Sequence, residues 1–137
     1  MRVVIDTNIW ISFLIGKVLY GLEELLSKEI QVIISDEQLE EIISVLKRPK
    51  FKKYFTDKDI KELLFLIQKV SEMVIIEHKI TNCRDEKDNF ILETALKGKA
   101  DIIITGDKDL LDLNPYKGIK ILTYKEFEQI IKNFLSN

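Results

Sequence analysis

The sequence predicts an α/β protein with a five-stranded parallel sheet between two layers of helices, a three-layer α/β/α arrangement. Two observations lead to this prediction. Short Val- and Ile-rich runs recur along the chain without the polar alternation of a half-exposed strand. Segments with helical periodicity lie between these runs, and strands separated by helices pair in parallel.

Composition fits one soluble globular unit. The chain has 137 residues, of which 46% are hydrophobic and 32% charged, so we expect a single domain over residues 1–137. No apolar run approaches the roughly 18 residues of a membrane span, and Arg2 and Asp6 bring charge too early for a signal-peptide core. The lone Cys83 forms no internal disulfide, which favours a reducing, cytoplasmic setting.

The predicted elements follow one another along the chain with few breaks. Continuous apolar runs predict strands at 2–6, 31–35, 73–77 and 100–107, with a short fifth strand within 118–124. Helical spacing predicts helices at 7–16, 18–28, 36–48, 56–71, 85–99 and 125–135.

Capping residues support three of these helices. Ser35 and Gln38 have capping-box spacing, and Thr56 and Asp85 stand where N-caps are expected. The helix after Ser35 has an apolar face made of Leu39, Ile42, Ile43 and Leu46.

Acidic residues recur at corresponding places around the predicted sheet. They are Asp6 after strand one, Glu40 and Glu41 in the helix after strand two, Asp85 and Asp88 at the start of the helix before strand four, and Asp107 and Asp109 after strand four. In parallel sheets ligands bind beyond the carboxyl ends of the strands, where the strand order reverses. We therefore expect several of these carboxylates to converge there.

Converging carboxylates need either protons or a cation. Two unit charges about 4 Å apart repel by roughly 4 kcal/mol at an effective dielectric of 20. An all-oxygen site suits Mg²⁺ or Mn²⁺, whereas His78 and Cys83 have no second soft ligand nearby in sequence for zinc. Such ions activate water and stabilise the leaving oxygen of a phosphodiester.

Four motifs in order along residues 2–125 resemble those of PIN-domain ribonucleases. They are VVIDTN, SDEQLEEIISVLKRPKF, RDEKDNFILETAL and ADIIITGDKDLLDL, and the resemblance is greatest to toxin components of toxin–antitoxin systems. The resemblance implies a five-stranded parallel sheet and metal-dependent cleavage of single-stranded RNA. It also implies a cognate antitoxin partner and a homodimer.

The resemblance also implies which residues form the site. Asp6, Glu41, Asp88 and Asp107 match the four acids that hold the metal and carry catalysis. Asn8, Ser12 and Thr105 match polar residues beside the metal. From the residues alone, Glu40 remains an alternative to Glu41, and Asp85 and Asp109 are secondary candidates that also suit a helix cap and a turn.

A basic run follows the helix that carries Glu41. Its cations are Lys47, Arg48, Lys50, Lys52 and Lys53. Because the net charge of the chain is −2, nucleic-acid binding requires such a local patch. The run is interpreted either as a solvated loop or as a phosphate-binding surface near the edge of the site.

Two other functional classes remain open from the sequence. A phosphoryl-transfer hydrolase would use Asp6 as a nucleophile, but enzymes of the haloacid-dehalogenase type have a second Asp two positions on, where this chain has Asn8. A receiver-like or nucleic-acid-binding module would use the same fold without catalysis. Turnover on RNA separates the metal-dependent ribonuclease from the non-catalytic module.

Overall fold

The computed structural model describes residues 1–15, 30–81 and 85–135. Their strands form one sheet in the order β3-β2-β1-β4-β5, with every neighbouring pair parallel. The strands are β1 (Arg2–Ile5), β2 (Gln31–Ser35), β3 (Ser71–Val74), β4 (Ile102–Ile104) and β5 (Lys120–Leu122). The predicted five-stranded parallel sheet is confirmed.

Six α-helices and one 3₁₀ turn complete the described part of the chain. The helices are α1 (Thr7–Ile15), α2 (Asp36–Leu46), α3 (Asp57–Val70), α4 (Glu86–Lys97), α5 (Lys108–Leu111) and α6 (Tyr124–Leu135), and the 3₁₀ turn is Pro49–Phe51. The helix predicted at 18–28 lies outside the described residues. Within the described ranges no helix is both long and apolar enough to cross a membrane.

The sheet separates two apolar cores. Val3 and Ile5 of β1 face one core with Ile42 of α2, whereas Val4 faces the other with Leu92 of α4. Successive strand residues point to opposite faces, so a strand that is buried on both sides reads as an unbroken apolar run. This packing confirms the predicted three layers.

The strand order creates a crevice between β1 and β4. The chain builds outward from β1 through β2 to β3, and then crosses back to place β4 on the other side of β1. The loops that follow the carboxyl ends of β1 and β4 therefore lie side by side at the topological switch point. Ligands of open α/β sheets bind at such a point.

The third strand differs from the prediction. Strand 73–77 was expected from the run MVIIE, but β3 spans Ser71–Val74 and begins directly after α3. Its register with β2 pairs Val32 with Ser71 and Ser35 with Val74. Because β3 is an edge strand, its Met73 is exposed, and so is Ile75 directly after the strand. The apolar run therefore predicted that a strand is present in this region, but not its first and last residues.

The three N-caps were predicted correctly, but the partner of the Gln38 side chain was not. Ser35, Thr56 and Asp85 are the N-caps of α2, α3 and α4, and each side chain accepts a backbone N–H from its helix. The Gln38 side chain does not return to Ser35 as a capping box requires. It is buried and donates to the carbonyl of Ile5, which ties α2 to the end of β1.

The apolar face of α2 is also rotated from its predicted position. Ile42 and Leu46 are buried as expected, but Gln38 and Val45 are buried with them. Leu39 and Ile43 are only half-buried. The shift follows from the burial of the polar Gln38, which no hydrophobic pattern reveals.

Candidate functional site

Asp6 is held by the sheet on one side and by a helix on the other. Its backbone N–H donates to the carbonyl of Ile104 in β4 (2.9 Å), and its own carbonyl accepts from Ile9 and Trp10 (3.0 and 3.2 Å) to begin α1. The residue is only 8% exposed. These bonds fix the carboxylate at the carboxyl end of β1.

Thr105 joins Asp6 to Asp107. The buried Thr105 hydroxyl donates to Asp6 Oδ2 (2.7 Å) and accepts the backbone N–H of Asp107 (3.0 Å). Asp107 in turn caps α5, where its Oδ1 accepts the N–H of Asp109 (2.9 Å). One hydroxyl thus couples the ends of the two strands that border the crevice.

Asp88 enters the same region from α4. Asp85 begins this helix by accepting the N–H of Lys87 (3.0 Å), which places Asp88 in the first turn, where it is 5% exposed. Carboxylate oxygens of Asp88, Asp107 and Asp109 all lie within 4.8 Å of one another. We name Asp6, Asp88, Asp107 and Asp109 the acidic centre.

Burial and mutual repulsion raise pKa values in the acidic centre. Burial, a hydrogen bond with Asp107 and the charges of Asp107, Asp85 and Asp6 raise the pKa of Asp88 to about 7. Burial also raises the pKa of Asp6, with contributions from Asp107 and Asp85, although the hydrogen bond from Thr105 opposes them. Both carboxylates therefore bind a proton more readily than an isolated Asp does.

Glu41 lies beside the acidic centre on α2. Burial raises the pKa of Glu41, the Lys87 ammonium lowers it, and the charges of Asp6 and Asp85 raise it again. The Lys87 nitrogen is 3.9 Å from Glu41 Oε1. Glu40 is exposed. The geometry therefore favours Glu41 over Glu40 as the acid that faces the centre.

The remaining polar candidates have other surroundings. Asn8 and Ser12 are exposed on α1, and the Ser12 hydroxyl donates to the Asn8 carbonyl (2.9 Å). Among the described contacts, none joins the side chain of Ser12 to a carboxylate. The structure brings Thr105 and Asp109 into the centre and places Asp85 at its rim as a helix cap.

The five cations of the basic run are all exposed and follow the end of α2. Lys47 lies six residues beyond Glu41, which is about 9 Å along a helix axis. No described contact connects the run with the acidic centre.

Lys87 was not anticipated as part of the site. It stands between Asp85 and Asp88 in sequence, and its ammonium is the described cation nearest to Glu41. The sequence feature that could have identified Lys87 is its position inside the acidic motif DEKD.

Glu93 was also missed. Its carboxylate accepts the backbone N–H groups of His78, Lys79 and Ile80, the last at 3.0 Å. Burial alone would raise the pKa of Glu93, but these hydrogen bonds lower it below its usual value. They fix the loop in which His78 adopts a left-handed backbone (φ 60°). The sequence carries no signal for this contact, since Glu93 and the loop are 13 to 15 residues apart.

His78 bridges two helices near the acidic centre. Its Nε2 is 3.1 Å from Glu37 Oε1 on α2, and its ring packs edge-to-face against Phe90 of α4. Among its described contacts, none is to a carboxylate of the acidic centre.

The acidic centre fits a divalent cation of the Mg²⁺ or Mn²⁺ type. Its donors are all carboxylate or hydroxyl oxygens, which hard cations prefer. Burial, together with the charges of neighbouring carboxylates, raises the pKa values of Asp88 and Asp6, and a bound cation would stabilise their charged forms. Asp88, Asp107 and Asp109 have oxygens close enough together to hold the ion, and Asp6, linked to Asp107 through Thr105, would be a further ligand.

Fold and site together define a doubly wound α/β protein with an acidic centre at its switch point. The family model described as PIN domain matches residues 2–109. The chain belongs to the PIN-domain family.

The chain is also similar to a curated protein and to solved structures. An uncharacterized protein of Methanocaldococcus jannaschii, MJ1680, is 37% identical over 153 aligned positions, covering 99% of this chain and 95% of its own length. The solved structure of VapBC2 from Rickettsia felis, bound to a DNA fragment from their promoter, is similar with a TM-score of 0.58 at 18% identity, covering 88% of this chain and 97% of that one. PAE2754 from Pyrobaculum aerophilum is similar with a TM-score of 0.62 at 12% identity, covering 100% of this chain and 91% of that one. The two solved structures support the fold.

Proposed function

We propose that this protein is a metal-dependent endoribonuclease that hydrolyses phosphodiester bonds of single-stranded RNA, working as one PIN-like domain over residues 1–137. The proposal rests on one observation. The Thr105 hydroxyl is hydrogen-bonded to both Asp6 and Asp107, and carboxylate oxygens of Asp88 and Asp107 lie within 4.8 Å of each other. This arrangement concentrates carboxylates at the sheet edge where ligands of α/β proteins bind.

The residues divide the chemical work between them. Asp6, Asp88 and Asp107 hold the cation, and Thr105 and the N-terminus of α5 keep Asp6 and Asp107 oriented. When bound, Mg²⁺ or Mn²⁺ neutralises the carboxylates and the substrate phosphate and makes a water molecule more acidic. Asp109 adds a further oxygen at the centre.

Glu41 is the proposed general base. It is set apart on α2, and the raised pKa of its carboxyl brings it closer to neutrality, where a base accepts a proton more effectively. It would accept the proton of the water that attacks phosphorus, while the bond from phosphorus to the leaving oxygen breaks. The Lys87 ammonium opposes this rise of the pKa because it favours the charged form of Glu41.

We also propose the biological setting. The motifs resemble those of toxins in toxin–antitoxin systems, and the similar Rickettsia felis structure is a VapBC2 assembly. In this setting the protein is a toxin that forms a homodimer in the cytoplasm. A cognate antitoxin covers its acidic centre. Co-expression with the product of an adjacent short gene, followed by purification through one partner, tests the pairing.

The decisive experiment removes one carboxylate without changing its size. Asp6→Asn should abolish cleavage of single-stranded RNA in Mg²⁺ or Mn²⁺, because the amide removes the negative charge from the centre. Cleavage is followed on a labelled oligonucleotide, and circular dichroism checks that the fold is intact.

Asp57→Asn is the matched control, since Asp57 is an exposed acid in the first turn of α3. It should leave cleavage unchanged. Full activity of Asp6→Asn, or of the wild type in excess EDTA, would refute the proposed function.

A further inference from the structure

The segment 47–55, which we name the basic segment, concentrates positive charge on a protein whose net charge is −2. Its cations, Lys47, Arg48, Lys50, Lys52 and Lys53, are all exposed. The ion pairs found within the described ranges use other cations, so none of these five has a carboxylate within 4.0 Å there. Exposed cations without a carboxylate partner are available to an anionic ligand.

The basic segment is anchored to the molecule. The rings of Phe51 and Phe55 pack against the core that contains Ile42 of α2. Backbone bonds close successive turns, from Phe51 N–H to Arg48 O (2.9 Å) and from Tyr54 N–H to Phe51 O (2.9 Å). The cations therefore project from a folded turn.

Tyr54 adds an exposed aromatic ring to this charge. It is 57% exposed, and the Lys53 nitrogen lies 5.2 Å from the centre of its ring. Its neighbours Phe51 and Phe55 pack against the core, whereas the Tyr54 ring contacts the Phe55 ring, with 6.5 Å between the ring centres. An exposed aromatic ring among cations is the combination with which proteins bind single-stranded nucleic acids, where bases stack and phosphates pair with Lys and Arg.

We propose that the basic segment is a binding platform for single-stranded RNA, in which Tyr54 stacks on a base and the surrounding cations bind the adjacent phosphates. The RNA identity rests on the proposed function. A duplex does not fit this chemistry, because its base faces are occupied by neighbouring pairs. The segment follows the end of α2, and Lys47 lies about 9 Å further along that helix axis than Glu41, so the platform would bind a part of the RNA strand away from the acidic centre.

Binding is measured separately from cleavage. The full chain carrying Asp6→Asn is titrated in EDTA against a labelled single-stranded RNA of about 16 nucleotides and against the corresponding duplex, by fluorescence anisotropy. Adding Tyr54→Ala should weaken single-strand binding by about 10-fold, since base stacking on one aromatic ring is typically worth about 1–3 kcal/mol. Duplex binding should not change.

Phe65→Ala is the matched aromatic control. Phe65 is 71% exposed on α3 and lies outside the basic segment. It should leave both affinities unchanged. Tyr54→Phe should retain single-strand binding, because it keeps the ring, and it guards against a loss caused by unfolding.

The phosphate contribution is tested through salt dependence. The triple variant Lys50→Gln/Lys52→Gln/Lys53→Gln should reduce the slope of log affinity against log salt by about 2, since each contact with single strands contributes about 0.7. Lys117→Gln/Lys120→Gln/Lys132→Gln removes the same charge from other exposed positions and should leave the slope nearly unchanged.

The outcomes separate this inference from the proposed function. Unchanged binding in Tyr54→Ala, an equal loss in Phe65→Ala, or an equal loss for duplex overturns the stacking platform. Variants that keep RNA affinity but lose a co-purifying acidic protein also overturn it, and assign the segment to a protein partner. Absence of metal-dependent cleavage by the wild type refutes the proposed nuclease, whatever the titrations show.

Discussion

Thr105 makes two hydrogen bonds on which the acidic centre depends. Replacing it with Val removes the donor to Asp6 and the acceptor for the Asp107 N–H. Loss of a hydrogen bond that orients a metal ligand typically costs about 10- to 100-fold in metal affinity or activity. We expect a loss of that size in single-turnover cleavage at limiting Mg²⁺, measured as a shift of the metal titration.

Thr105→Ser is the matched control, because it keeps the hydroxyl. It should retain most of the activity and the metal dependence of the wild type. If Val and Ser at this position behave alike, the hydroxyl bridge is not what organises the acids.

The sequence predicted some residues of the site and missed others for a physical reason. Asp6 and Asp107 could be placed together because parallel strands end at the same edge of a sheet, and Thr105 was added by the family resemblance. Lys87 and Glu93 could not, since their contacts depend on the orientation of one helix turn and on an irregular loop. The basic run was predicted as a patch, but the exposure of Tyr54 beside it required the structure.

At the level of elements, Gly98 is the residue at which the end of α4 packs closely against the sheet. A Cβ at this helix cap would lie 2.3 Å from the Cγ2 atom of Ile33 and 3.2 Å from the carbonyl oxygen of Thr94. Ile33 is buried in β2 and has no room to withdraw. Gly98→Ala should therefore destabilise the protein by about 1–3 kcal/mol, as overpacking of cores does. Urea unfolding measures the change.

Gly106→Ala provides the comparison within the same fold. No atom lies within 4 Å of the position of its added Cβ. It should change the free energy of unfolding little, or raise it slightly by restricting the unfolded chain. Equal destabilisation by both substitutions would contradict the role assigned to the contact between Gly98 and Ile33.

Element types were more predictable than element ends. The caps Ser35, Thr56 and Asp85 were identified because N-capping depends on residues close in sequence. The start of β3 was not, because it depends on the register with β2, a long-range pairing. The buried Gln38 likewise follows from its bond to Ile5, which no helical periodicity reports.

For the molecule as a whole, the acidic centre should make stability depend on pH. The pKa of Asp88 is about 7 when folded, against an ordinary value of 3.8. Between these values the folded state retains a proton that the unfolded state has lost, so rising pH lowers the free energy of unfolding. In EDTA we expect a lower melting temperature at pH 8 than at pH 5.

Asp88→Asn isolates this contribution. The variant should show a smaller fall in melting temperature over the same pH range, because the amide does not titrate. Mg²⁺ should stabilise the wild type more at pH 8 than at pH 5, since protons compete with the cation for the carboxylates. A fall of the same size in both proteins would show that other groups set the pH dependence.

The sheet order also determines when the site comes into existence. β1, the first strand of the chain, is central, and the hydroxyl that binds Asp6 comes from a residue 99 positions later. A chain growing from its N-terminus therefore presents Asp6 long before β4 can pair beside it. Truncated or partly synthesised chains that lack β4 and Asp107 have no complete acidic centre. A cell that makes this protein is exposed to an assembled centre only after most of the polypeptide has been made.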